Sequence, residues 1–237
     1  MRRWRSMPAS GSGPTAWSSA RRRSVASSPA TWAGPGKKSL IASERDEARR
    51  AAWRVRAAPI NPARFVWVDE TGSHVALTPT HARAPRGERA VGRVPRNRGR
   101  ITTLIAALTV DGMGPALLLE GGVDTDAFVA YVTGLLAPTV HPGQIVVLDN
   151  PAAHHAARVR SAIERQGAEV WFLPAYSPDL NPIEEAFSKL KALLRRIGAR
   201  TRDALADAIR RALRAITPAD VLGWYAHCGY SPPDQLL

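Results

Sequence analysis

From Arg64 onward the chain alternates short, continuous apolar runs with apolar stripes at helical spacing. Phe65-Val66-Trp67-Val68 is a strand-length apolar run ending at Asp69. A second strand is expected at 74–78, followed by a basic loop rich in Pro and Gly through 79–100. The next strand is predicted at 101–110, Asp111-Gly112 supplies hairpin-turn chemistry, and 115–120 returns as its partner. Asp124 or Thr125 then caps a helix to about 136, with Phe128, Val132, Leu135 and Leu136 at helical spacing. A continuous apolar strand at 144–148 ends at Asp149. Asn150, with Pro151 at the first helical position, opens a helix whose stripe is Ala152, Ala156, Val159 and Ile163. A short strand at 169–173 precedes two helices, 182–197 and 202–215, the latter capped by Thr201. Strands first, then strand–helix alternation, predict an α/β fold: a mixed sheet flanked by helices.

The first 36 residues have a different texture. They are Ser, Ala, Arg, Gly and Pro with scattered Trp4, Trp17 and Trp32, and no sustained period. Pro and Gly break every helix-length window except 15–28, where Trp17 and Val25 are the only large apolar residues. A basic, disordered tail is expected, because such a segment buries too little apolar surface to offset its ordering entropy. No helix-turn-helix module can be built from it. The abrupt change at Lys37 is what upstream DNA read in the wrong frame would produce. The alternative is a genuine DNA-binding arm whose tryptophans stack on bases. Residues 37–59 read as a charged helical linker, with a helix at 43–56 capped by Ser43, and 60–218 as the main domain. Residues 219–237 read as a C-terminal extension.

Composition narrows the class. The chain has 237 residues, 45% hydrophobic and 22% charged, which suits one ordinary domain plus an appendage. No apolar run approaches the roughly 18–20 residues of a membrane span. The basic start, Met1-Arg2-Arg3-Trp4-Arg5, lacks the apolar core of a signal peptide, so a cytoplasmic protein without membrane contact is expected. One cysteine, Cys228, excludes an internal disulfide framework and a cysteine-cluster zinc site. The formal charge is +13, unevenly spread: 81–100 holds seven arginines against Glu88, and 186–216 nine Lys/Arg against Asp203 and Asp207. Such clusters read as footprints for a polyanion, nucleic acid first. Arg83, Arg86, Arg93, Arg96, Arg98, Arg100, Lys189 and Lys191 are the candidate phosphate contacts. The plainer account is solvated faces plus a compositional bias, since arginine outnumbers lysine 29 to 4.

Asp69 and Asp149 occupy matching places, each directly after a short apolar strand. Side chains at the carboxyl ends of neighbouring strands converge where open α/β sheets place their ligands. Two carboxylates so placed repel, and they stay ionised together only around a cation. An oxygen-only set of this kind suits magnesium or manganese. Taken singly, either aspartate also reads as a turn or helix cap. The third element is Ser177-Pro178-Asp179-Leu180-Asn181-Pro182-Ile183-Glu184-Glu185. Here Asn181 is a good N-cap, Pro182 sits at N1, and Glu184 at N3 has the spacing of a capping box. Against that stands the stripe Ile183, Phe187, Leu190, Leu194 and Ile197, from which Glu184 lies about 100° and Glu185 about 200°. Glu184 thus borders the core and leans into a cleft, while Glu185 points to water.

Together these strings resemble the mariner-like transposases of bacterial insertion sequences, within the DDE superfamily of endonucleases. The resemblance is carried by Val68-Asp69-Glu70-Thr71-Gly72, by Leu148-Asp149-Asn150 with His154 five residues on, and by Ser177 to Glu184. The 34 residues between Asp149 and Glu184 match that group's interval. Ala84-Pro85-Arg86-Gly87 and Trp224-Tyr225-Ala226-His227-Cys228-Gly229-Tyr230 are also similar. The resemblance implies a ribonuclease H-like fold in which Asp69, Asp149 and Glu184 hold two Mg2+ (or Mn2+) ions about 4 Å apart. It implies cleavage and joining of double-stranded DNA, at transposon ends and target, by a homodimer. It also makes Asn150, His154 and Asn181 supporting residues. Asn150 fits two roles, orienting a metal-bound water or capping its helix. His154 by family position touches DNA or the third carboxylate, although a lone helical histidine is more often structural. The rival readings are a truncated, non-catalytic DNA-binding remnant of such a transposase and a magnesium-dependent phosphatase, the latter at odds with the basic surface.

Overall fold

A computed structural model of the chain describes residues 41–149 and 157–230. The expected tail at 1–36, Asn150 and His154 lie outside the described residues.

The first helix, α1 (Glu47–Ala57), begins later than the expected residue 43. Asp46, not Ser43, is its cap: the Asp46 carboxylate accepts from Arg49 N at 3.0 Å, while the Ser43 hydroxyl donates to Glu44. Next comes β1 (Phe65–Ser73), which continues through Asp69 rather than ending there. Its extension is held by antiparallel pairing with β2 (Thr102–Thr109), from Trp67↔Leu108 to Ser73↔Thr102. The separate strand expected at 74–78 is not formed. Leu77 N bonds back to His74 O in a turn, and the Arg200 guanidinium takes the carbonyls of Val75 and Leu77, at 3.0 and 2.9 Å. Those groups are therefore withdrawn from any ladder.

A hairpin joins β2 to β3 (Gly112–Glu120), and Gly112 at φ 128° adopts a backbone that only glycine takes without strain. Asp124 caps α2 (Thr125–Tyr131), after which the coil widens to a π turn at Val132–Leu136 and closes as a 3₁₀ turn at Ala137–Thr139. β4 (Ile145–Leu148), α3 (Ala157–Glu164) and β5 (Glu169–Phe172) follow. The chain then enters α4 (Pro182–Ile197), α5 (Arg202–Arg214), capped by Thr201 as expected, and α6 (Pro218–His227).

The five strands form one mixed sheet in the order β3-β2-β1-β4-β5, with β1, β4 and β5 parallel and the β1–β2–β3 edge antiparallel. Successive strand residues face opposite sides, so each strand feeds two cores. Phe65, Trp67, Ile145 and Val147 pack with α1, α4, α5 and α6. Val66, Val68, Val146 and Leu148 pack with α2 and α3 on the other side. The alternation continues to Asp69 and Asp149, which places both on the α4 side.

That α4-side core reaches beyond the boundaries 60 and 218 expected from sequence. Trp53 of α1 and Val221, Tyr225 and Tyr230 at the C-terminal end are buried in it, with Trp67 and Tyr230 ring centres 4.8 Å apart. Neither the linker nor the extension is peripheral. Of the expected α4 stripe, Ile183, Phe187, Leu190 and Leu194 are buried and Ile197 is exposed. Among the described residues no helix is long and apolar enough to cross a membrane.

Two substitutions on α6 test its place in the core. Tyr225→Ala removes a fully buried ring and costs about 3 kcal/mol or more. Leu222→Ala, on the exposed face, stays within about 0.5 kcal/mol. Urea denaturation of both variants reads the difference; equal costs would put α6 outside the core.

Candidate active site

Parallel pairing of β1 with β4 sets Val68 opposite Leu148, so Asp69, within β1 where its pairing with β4 stops, and Asp149, just past the end of β4, lie side by side. Glu184 enters from the first turn of α4, where helix N-termini favour negative charge. All three line one open pocket of about 460 Å³, together with Asn181, Tyr176 and the 173–178 connection. Tyr176 is exposed at this pocket and has a left-handed backbone, φ 56°.

Asp69 is the buried member, only 6% exposed. Its Oδ1 accepts from Glu70 N at 2.7 Å and its Oδ2 from Asn181 Nδ2 at 2.9 Å. The capping box suggested by the 181–184 spacing is therefore not made. Asn181 makes no side-chain cap, and its amide is turned across the pocket to the first carboxylate. The local backbone still closes, since Glu184 N donates to Asn181 O at 3.1 Å.

Burial is the largest influence on the Asp69 carboxyl, followed by the neighbouring charge of Asp149; with a smaller effect from Glu184 they push it up to about 8. Desolvation at the pocket wall also raises Glu184, opposed by Lys191 and reinforced by Asp149. Asp69 thus holds a proton near neutral pH that a divalent cation would displace. Among the described residues no three His, Cys, Asp or Glu side chains stand close enough together, as placed, to hold one metal ion. The donor set is an open, oxygen-only rim, which fits a hard ion that keeps part of its water shell.

Of the two adjacent glutamates, Glu184 faces the pocket. Glu185 is half-buried and pairs with His227 at 3.0 Å, not with water alone as expected. The expected phosphate contacts divide. Arg83, Arg86, Arg93, Arg96, Arg98 and Arg100 are all exposed on the long connection between β1 and β2. Lys191 stands near enough to Glu184 to oppose its shift. Lys189 is turned instead to Asp220 of α6, where it ties two helices together. Sequence reasoning missed Arg50, which is fully buried and paired with Asp179. Its signal was position: Arg50, Trp53 and Ala57 share one face of α1.

A mixed sheet with carboxylates on two adjacent parallel strands, one within and one just past its strand, covered by a helix carrying a third, defines the ribonuclease H-like class of nuclease folds. The profile of the DDE superfamily endonucleases matches residues 64–206, and the chain belongs to that family. It is 26% identical over 195 residues to the Transposable element Tc1 transposase of Caenorhabditis elegans, covering 77% of this chain and 71% of that protein. In structure it is similar to the Mos1 transposase paired-end complex with left transposon end (TM-score 0.66, 17% identity), covering 84% of this chain. The chain spans 64% of the length of that transposase. The catalytic domain of Mos1 mariner transposase superposes with a TM-score of 0.56 and 18% identity, over 81% of this chain and 91% of that one. Mos1 paired-end complexes with Mg and with Mn share the fold.

The raised Asp69 carboxyl has a sign that stability measurements can read. From about pH 4 to pH 8 the folded protein keeps a proton that the unfolded chain has lost. Its contribution to stability is full below about pH 4 and disappears as pH rises through about 8. Without metal, Tm should fall across that window relative to Asp69→Asn, and Mg2+ should reverse the fall. Parallel curves for the two proteins would contradict the shift.

Proposed function

We propose that this chain is the catalytic part of a transposase from a mariner-like bacterial insertion sequence, cutting and joining DNA by metal-dependent phosphoryl transfer. The observation that carries the reading is the convergence of Asp69, Asp149 and Glu184, far apart in sequence, on one pocket. Family membership supports it, as do the structures of the Mos1 paired-end complex with a left transposon end, with Mg and with Mn. Residues 60–218, completed by α1 and the segment to Tyr230, form the proposed ribonuclease H-like domain, double-stranded DNA is the substrate, and a homodimer is the active assembly, working on the nucleoid in the cytoplasm.

In this reading Asp69, Asp149 and Glu184 would hold two Mg2+ or Mn2+ ions. When bound there, such ions activate the attacking oxygen, water or a DNA 3′-hydroxyl, and stabilise the leaving one. The protein's share is mainly positioning and charge. Asp69 would give up its proton on binding a cation, and Asn181 keeps that carboxylate in one orientation. Asn150 and His154 are assigned supporting places on the strength of the motif. The arginines of the β1–β2 connection face solvent, where they can meet phosphates before the strand reaches the carboxylates.

Nicking of supercoiled plasmid in Mg2+, against EDTA, tests the reading. Alanine at Asp69, Asp149 or Glu184 should abolish cleavage while leaving DNA binding intact, and Glu185→Ala should still cleave. Loss in Glu185→Ala with retention in Glu184→Ala would exchange their roles. A wild-type chain that binds DNA but never cuts would be the non-catalytic remnant.

DNA affinity should fall steeply with salt. Reversing Arg96 and Arg98 to glutamate weakens binding to all sequences alike and flattens the log–log salt slope by about 2, close to one per phosphate contact. Salt-insensitive binding measured by fluorescence anisotropy would make the basic connection a solvated face.

A further inference from the structure

The pocket's third wall is a short connection, and α1 grips it. Between β5 and α4 the chain makes a 3₁₀ turn at Pro178–Leu180, immediately before Asn181. Arg50 Nη1 and Nη2 donate to the two carboxylate oxygens of Asp179 at 2.9 and 2.6 Å. Arg50 is completely buried, and its Nε lies 3.4 Å from Glu47. One turn along the same helix face, Trp53 Nε1 donates to the Tyr230 hydroxyl at 2.9 Å, and that hydroxyl donates to Leu180 O at 2.7 Å. Two successive residues of the turn are thus held from α1, one directly and one through Tyr230. The residue that follows them is Asn181, whose amide orients Asp69 at 2.9 Å.

We propose that Arg50 and Asp179 are positioning residues of the catalytic site: their two-pronged pair, buried on the Arg50 side, fixes the turn that aims Asn181 at Asp69 and sets the entry of Glu184. The inference rests on the catalytic reading of the three carboxylates. It extends the machinery to residues flanking the family-matched segment 64–206, since Arg50 and Trp53 precede it and Tyr230 follows it. The physical grounds are the geometry of the fork and the burial of Arg50. A guanidinium presents parallel donors to both carboxylate oxygens, which fixes orientation as well as distance, and a lysine ammonium does not. The Asp179 carboxyl is held below the usual carboxylate range, first by its hydrogen bond to Arg50. A turn held at two adjacent points cannot slide along β1, so the Asn181 amide stays in reach of Asp69. Such precision matters because a misplacement of about 1 Å in a reacting constellation can cost about 100-fold in rate. Losing an orienting partner of a metal ligand typically costs about 10- to 100-fold in affinity or activity.

The experiment compares the full chain with Arg50→Lys, Asp179→Asn, the double variant, and Ala51→Gly, which weakens α1 on its exposed face without touching the pair. Each is checked for folding by circular dichroism and assayed well below its Tm. Mn2+ binding is read by electron paramagnetic resonance, and cleavage by plasmid nicking at saturating DNA. Arg50→Lys and Asp179→Asn should each lose about 10-fold or more in Mn2+ affinity and in cleavage rate. DNA affinity should stay within about twofold, and the double variant should be no worse than the singles, as for a coupled pair. Ala51→Gly should lower Tm and leave both readouts unchanged. If Arg50→Lys does not fold, Asp179→Asn, altered at a half-exposed position, decides alone. Unchanged Mn2+ affinity in folded Asp179→Asn overturns the inference, as does an equal loss in Ala51→Gly. A wild-type chain that binds Mn2+ but does not cut defeats the catalytic reading instead, and the Mn2+ affinities still judge the pair.

Discussion

Three carboxylates facing one partly buried pocket repel one another, and much of the surrounding structure acts to hold them there. Asp69 shows the cost most directly, with its carboxyl pushed up to about 8 by burial and by its neighbours' charge. Backbone ladders supply the restraint that side-chain rotation could otherwise evade. Parallel pairing from Phe65↔Ile145 to Val68↔Leu148 sets Asp69 and Asp149 side by side. The first turn of α4 brings Glu184 in where unpaired helix N–H groups offset negative charge. Stability comes from below: Phe65, Trp67, Trp171, Tyr225 and Tyr230 make an aromatic layer beneath the acidic edge. A site under such tension needs a stiff floor, and strand residues alternating with the acids provide it.

Much of this was legible in the sequence because its signals were periodic. Four-residue apolar runs marked β1 and β4, and the steps of four and three in Ile183, Phe187, Leu190 and Leu194 marked α4, although Glu184, which lines the pocket, is the exposed glutamate and Glu185 the half-buried one. What escaped was decided by tertiary partners. Ser43 and Asp46 are both good caps, and only the packing of Trp53 and Arg50 settles where α1 begins. Asn181 and Glu184 have capping-box spacing, yet a buried carboxylate competes for the Asn181 amide and takes it. The false strand at 74–78 had acceptable residues but no ladder, because Arg200, more than a hundred residues away, claims two of its carbonyls. Local propensity cannot see a partner so distant in the chain.

The basic residues also sort differently in space than along the chain. Charge clusters read from sequence treat every arginine and lysine as a potential phosphate contact. In the fold, Arg50 satisfies Asp179, Lys189 joins α4 to Asp220 of α6, Arg200 pins the 74–77 turn, and Arg202 pairs with Glu120 at 2.7 Å. These cations are structural. The exposed arginines of the β1–β2 connection carry the polyanion argument instead, with Lys191 close to the carboxylates. A net charge of +13 therefore overstates the surface available to a polyanion, and the distribution matters more than the sum.

The same sorting explains why the core outgrows the segment that carries the family signature. A sheet with three parallel strands needs both faces covered. On one side α2 and α3 lie within residues 64–206 and suffice. On the other, α4 and α5 leave the aromatic layer around Phe65, Trp67 and Trp171 incompletely covered, and Trp53, Tyr225 and Tyr230 close it. Those covering residues then serve the acidic edge, because the hydroxyl of Tyr230 and the guanidinium of Arg50 are the polar ends of side chains buried for packing. Their partners are backbone and carboxylate groups of the very turn that leads into α4. Burying these polar groups is tolerable only where each finds a partner, and the turn beside the site supplies them. Packing on the α4 face and aim at the acidic pocket are therefore set by the same side chains.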